Sequence, residues 1–225
     1  MNVILLDIEG TTTPIDFVYG TLFPYAHKRL ATMTAIEFDR DDLDRIASEY
    51  EIDDDTSKPS IAGSPVHYLL SLMDKDRKSP ALKSIQGKIW EAGYLDGSLK
   101  GEVFSDVVPA LKNWRTQGRQ ICIYSSGSVL AQKLLFAHST AGDLTPFINA
   151  YFDTEVGPKK DPDSYRRIAS QLGVNCAEVL FISDSTAECD AAQRAGYLVR
   201  YSIRPGNRAE ESAFESIHNF QEVTI

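Results

Sequence analysis

Cysteine is scarce in this 225-residue chain: Cys122, Cys176 and Cys189 are the only three. An odd count, with no CxxC pair and no zinc-like Cys/His spacing, excludes a disulfide framework or a zinc finger as the organising device. Reduced thiols in a cytoplasmic protein are the expected reading. Basic clusters are also missing. The net charge is −9 and no run or stripe of Lys and Arg stands out, so no nucleic-acid partner is expected. No apolar stretch approaches the length of a membrane span, and no membrane partner is expected. The first apolar run, residues 3–6, stops at Asp7, too short for the core of a secretory signal. Repeats and low-complexity segments are absent.

What is present is ordinary globular material, 43% hydrophobic and 24% charged, enough to bury one large core or a core with a smaller insert. Short, near-continuous apolar runs occur at residues 3–6, 121–124, 179–182 and 198–201, with a weaker one at 150–152. Continuous rather than alternating runs indicate strands covered on both faces. Helical stripes lie between them: Val107, Leu111 and Trp114 before Gly118; Tyr165, Ile168, Ala169 and Leu172 between Pro162 and Gly173; Ala191, Ala192 and Ala195 before Gly196. Strands alternating with helices predict an α/β fold, a doubly wound, mostly parallel Rossmann-like sheet.

About 100 residues separate the first strand from the helix leading into the second, too many for a simple crossover. This segment reads as helical. Val66, Leu69, Leu70 and Met73 share a face behind Ser64-Pro65, and Leu82, Ile85 and Ile89 share one behind Ser79-Pro80. In each pair a serine is expected to cap and a proline to open the helix. Residues 51–64, with three consecutive aspartates, read as an exposed connection. The expected organisation is a catalytic core of residues 1–14 and 101–225 with an inserted α-helical cap domain of residues 15–100.

Polar residues follow each strand. Asp7-Ile8-Glu9-Gly10-Thr11-Thr12 puts two carboxylates two residues apart where the first strand opens into a loop. One carboxylate can attack phosphorus, and a neighbouring acid can protonate the leaving oxygen and then deprotonate water. A pair of solvated or capping acids would look the same. Ser125-Ser126-Gly127-Ser128 precedes a helical stretch and could hold a phosphate, or merely cap the helix. Lys159 could balance the charge of the nucleophile and of the phosphoryl oxygens, although a surface lysine is the commoner case. Asp184 could complete a Mg²⁺ site or cap the next helix. Each signal is weak alone. Their order is not, since parallel strands bring all four ends to one edge of the sheet.

With Asp7 to Thr11, Ser125, Lys159 and Asp184 in its four motif positions, the chain resembles the haloacid dehalogenase superfamily of phosphatases. Within it, the chain resembles the enolase-phosphatase (acireductone synthase) family. The segments carrying that closer resemblance include residues 7–12, with Glu9 where most of the superfamily has aspartate, and residues 123–128, 132–136, 151–154, 164–169 and 204–207. The resemblance implies an HAD-like core with a helical cap, one Mg²⁺ per subunit, a usually monomeric protein, and a small phosphorylated diketone as substrate. The implied reaction enolises 2,3-diketo-5-methylthiopentyl 1-phosphate, then dephosphorylates it to 1,2-dihydroxy-3-keto-5-methylthiopentene in methionine salvage. By the same resemblance Asp7, Glu9 and Lys159 are catalytic, Ser125, Ser126 and Lys159 bind substrate, and Asp7, Glu9 (through its backbone oxygen) and Asp184 hold the metal. The alternatives are another Mg²⁺-dependent capped phosphatase of a small metabolite, a dehalogenase, and a phospho-accepting signalling module or a catalytically silent binding protein. A receiver domain is roughly half this length, and its acceptor follows a middle strand.

Overall fold

Burial on both faces is complete at the centre of the sheet. In the computed structural model, which describes residues 2–77, 79–208 and 210–224, strand β1 (Val3–Leu6) exposes none of its four side chains. It is followed by β2 (Gln120–Tyr124), β3 (Ala150–Phe152), β4 (Val179–Ser183), β5 (Leu198–Ser202) and β6 (Ser216–Ile217). The sheet order is β3-β2-β1-β4-β5-β6 and every pairing is parallel. The sequence reading lacked β6, whose two residues are too short to show a pattern.

The core helices are Val107–Thr116, Val129–Ala137, Pro162–Leu172 and Thr186–Ala195. On one face of the sheet, Tyr165 packs edge-on against Tyr124, Phe181 and Tyr197, with ring centroids 5.5, 5.2 and 5.6 Å away. Leu6 pairs with Ile123 on one side and Ile182 on the other. One step further along the chain, Asp7 is level with Tyr124 and Ser183. The register therefore brings the residues after β1, β2 and β4 to the same edge.

Contacts divide the chain into two compact units, Met1–Val18 with Lys100–Ile225, and Tyr19–Leu99. The second is helical: Phe23–Ala31, Arg40–Ile52, Val66–Asp74 and Pro80–Leu95. Ser79 caps the last of these, accepting from the Leu82 N–H at 3.0 Å. Two expectations need correction here. Ser64 does not cap its helix: the cap position is Pro65, and Ser64 receives only the Val66 N–H at 3.4 Å. The buried face of that helix is Val66, Tyr68, Leu69 and Leu72, with Leu70 and Met73 only partly covered. The Tyr68 ring turns the face, standing edge-on to Tyr50 at 5.0 Å while its hydroxyl donates to Asp53. The acidic run does lie in an exposed connection, but two of its side chains are paired. The Asp53 side chain is 3% exposed and pairs with Arg77 at 2.7 Å, while Asp55 takes Lys75 at 2.5 Å. These basic partners lie 20 and 24 residues further on, so the run alone does not show them.

Candidate active site

Asp7 leaves the buried end of β1 with only 4% of its surface exposed, and its two oxygens are held by three donors. Oδ1 accepts from the Lys159 ammonium at 2.6 Å and from the Ile8 N–H at 2.8 Å. Oδ2 accepts from the Ser183 hydroxyl at 2.9 Å. A carboxylate offers about four acceptor positions. Three are taken, leaving one on Oδ2.

Lys159 is equally buried, at 8% exposure, and also meets Glu188 Oε2 at 2.7 Å. Its loop is held with unusual completeness. Three consecutive carbonyls, of Gly157, Pro158 and Lys159, accept from the hydroxyls of Tyr124 (2.9 Å), Ser164 (2.8 Å) and Tyr165 (2.6 Å). Arg167 donates to the Val156 carbonyl. The closeness of this packing demands glycine at 157: φ is +137°, and a Cβ there would stand 2.2 Å from Ser164 Oγ.

Asp184 follows β4 and lies against the loop after β1. A Cβ on Gly10, whose φ is +62°, would come within 2.1 Å of Asp184 Oδ2. Glycine is thus required both for the left-handed turn and for the approach of this acid. Burial, then the charges of Asp7 and Glu188, push the Asp184 carboxyl up to about 7. Glu9 is also raised, by burial first and by Asp7 second, with Lys159 opposing. Glu188 moves the same way, through burial and Asp7 against the pull of Lys159. Burial alone would lower the Lys159 ammonium, but Asp7 and Glu188 outweigh it and the net direction is up. One cation therefore serves four acids: it stays charged, and the excess negative charge favours protonation or a further cation.

The residues named from sequence divide into two groups. Asp7 and Lys159 are in direct contact, and Glu9 and Asp184 share their electrostatic field. Ser125 is buried at the end of β2, its hydroxyl accepting from the Gly127 N–H at 3.2 Å, whereas Ser126 is exposed. Among the described residues, no three His, Cys, Asp or Glu side chains are grouped to hold a metal by side chains alone. Sequence reasoning missed Ser183 and Glu188. Glu188 stands three residues after Ser185, the pattern of a reciprocal helix cap. Ser185 does accept from the Glu188 N–H at 3.4 Å, but the glutamate side chain turns instead to Lys159 and Ser183.

The profile of the haloacid dehalogenase-like hydrolases matches residues 1–196. Enolase-phosphatase E1 of Synechococcus elongatus is 50% identical over 232 aligned positions, covering 99% of this chain and 98% of its own. The protein of the same name from an Enterobacter species is 43% identical, covering 99% and 96%. Among solved structures, the UTR4 protein of Saccharomyces cerevisiae superposes with a TM-score of 0.81 at 35% identity, covering 99% of both chains. CbbY of Rhodobacter sphaeroides, at 16% identity and a TM-score of 0.64 over 99% and 96%, shares the fold. Similarity of this extent to relatives matched along their whole length makes the chain a member of the enolase-phosphatase E1 family, within the haloacid dehalogenase-like hydrolases.

Proposed function

We propose that this protein converts 2,3-diketo-5-methylthiopentyl 1-phosphate, through its enol phosphate, to 1,2-dihydroxy-3-keto-5-methylthiopentene and phosphate in methionine salvage. It acts as a cytoplasmic monomer, with residues 15–100 as the inserted helical domain. The observation that carries this reading is the buried contact of Asp7 with Lys159 at the end of β1, in a chain of this family.

Asp7 attacks phosphorus, forming an acyl phosphate as the ester P–O bond breaks. Glu9 gives the leaving oxygen its proton, then takes one from the water that hydrolyses the acyl phosphate and restores Asp7. Lys159 balances the charge of Asp7 and of the phosphoryl oxygens. Ser125 and Ser126, with nearby N–H groups, bind the phosphate or the diketone oxygens. Glu9 is also assigned as the base of the enolisation. If a Glu9→Gln variant accumulated the enol phosphate, that second role would fall.

The donors fit a hard divalent cation. The Asp7 and Asp184 carboxylates and the Glu9 main-chain oxygen are all oxygen donors, and the acids outnumber the one ammonium among them. These three residues would hold Mg²⁺, which when bound supplies neutralisation of the phosphate and polarisation of a carbonyl. Incubating the protein with the diketo phosphate and Mg²⁺, while following phosphate release and the enol and acireductone absorbances together, tests the whole reading. Strong release from sugar phosphates with none from the diketone would overturn the substrate assignment.

A further inference from the structure

The loop after β1 satisfies three of its own carbonyls, those of Asp7, Ile8 and Thr13. Ile8 O accepts from the N–H groups of Thr11, Thr12 and Thr13, and Thr13 O accepts from Gly10. Thr12 O accepts from Phe104, and Asp7 O accepts from the Thr12 hydroxyl. The carbonyls of Gly10 and Thr11, like that of Thr12, are taken from outside the loop. Gly10 O accepts from Asn207 Nδ2 at 2.9 Å and from the Ser202 hydroxyl at 3.2 Å. Thr11 O accepts from Arg204 Nε at 3.1 Å. Three donors from one six-residue segment thus meet two consecutive carbonyls.

That segment is itself fixed. Arg204 is 4% exposed, lies between the Phe104 and Phe220 rings at 4.9 and 4.4 Å, and pairs with Asp106 at 2.8 Å. Asn207 bears on the site from a second direction. The Cβ position of Gly10 that Asp184 blocks is also only 2.9 Å from Asn207 Nδ2. The Asn207 amide and the Asp184 carboxylate therefore both crowd the space where a Gly10 side chain would stand. The segment also lies past residue 196, where the match to the wider hydrolase family ends.

We propose that Asn207 is a positioning residue of the active site, the tip of a brace built with Ser202 and Arg204. It holds the Gly10 peptide in its left-handed turn and so sets the separation of Asp7 from Asp184. The inference rests on the reading of Asp7 as nucleophile. Only a donor serves at this point, since Gly10 O is an acceptor.

The test compares Asn207→Asp, which keeps the shape but turns an acceptor toward Gly10 O, with the milder Asn207→Ser, which keeps the question open should the first not fold. Two readouts are taken: steady-state phosphate release from the diketo phosphate with Mg²⁺, and amide hydrogen exchange. Small misplacements of reacting groups cost on the order of 10- to 100-fold in rate. The expected result is a fall of that size in kcat, with KM little changed, and faster exchange at Thr11 to Thr13 but not in β1 or β4. Wild-type kcat with unchanged loop exchange would overturn the brace, as would a uniform rise in exchange throughout the core. If Asp7→Asn released phosphate at the wild-type rate, the nucleophile reading would fail, while the exchange data would still report on Asn207.

Discussion

Lys159 and Glu188 stand 2.7 Å apart in the protein interior, and the same ammonium is 2.6 Å from Asp7. Ser183 closes the figure, donating to Asp7 Oδ2 and lying 3.0 Å from Glu188 Oε2. Asp7 is thus held from both oxygens by groups that answer to Glu188. Removing one partner of a buried pair costs about 3–5 kcal/mol because the remaining charge is left uncompensated. Glu188→Gln keeps a polar partner for Lys159 and should remain folded, with kcat lowered on the order of 10-fold through loosened positioning. Steady-state kinetics and a thermal melt check this. An unchanged kcat would show that Asp7 holds Lys159 unaided.

Asp7→Asn should remove turnover, by at least about 10³-fold as expected when a nucleophile is deleted. The same change takes one negative charge from a cluster in which four acids share one cation. The variant's melting temperature without divalent cations should therefore not fall below that of the parent. Loss of activity together with a collapsed melt would point to a structural role instead.

The raised carboxyls give stability a definite pH dependence. Burial and the charge of Asp7 push the Asp184 and Glu188 carboxyls up to about 7, against ordinary values of about 4. Between about pH 4 and about pH 7 the folded state binds protons that the unfolded state has released, so stability falls as pH rises through that window. With a chelator present, the protein should melt at a higher temperature near pH 5.5 than near pH 8, and Mg²⁺ should narrow the difference. Scanning calorimetry across this range tests it. A midpoint that rose with pH would contradict the shifts.

Tyr165→Phe should fold, because the ring keeps its three aromatic neighbours, but it strips the Lys159 carbonyl of its donor. The expected loss is about 1 kcal/mol of stability, the net worth of one hydrogen bond. The kcat should fall more than that loss of stability explains, since the carbonyl belongs to Lys159 itself. Tyr197→Phe, whose hydroxyl donates to the Tyr165 carbonyl rather than to the lysine loop, is the comparison. Equal effects of the two variants on kcat would remove the special role of Tyr165.

The strands were legible because a covered parallel sheet needs uninterrupted apolar residues, and residues 3–6 and 179–182 have nothing else. Asp7 and Lys159 were legible by their place after strands. Glu188 was not, since its spacing from Ser185 fits a helix cap equally well, and only the partner 29 residues earlier decides between them. The support from Ser202 and Asn207 was hidden for a different reason. Those side chains act on main-chain oxygens, which carry no residue identity. The pairing of Asp53 was not legible because its partner, Arg77, lies 24 residues away and has no sequence relation to it.

The central position of β1 has a consequence for how the chemistry survives fluctuation. A strand flanked by β2 and β4, with all four side chains fully enclosed, opens only when the domain as a whole unfolds. The Asp7 carboxylate is mounted on the segment that melts last. Fraying at the margins, at β3 or β6, leaves its footing undisturbed.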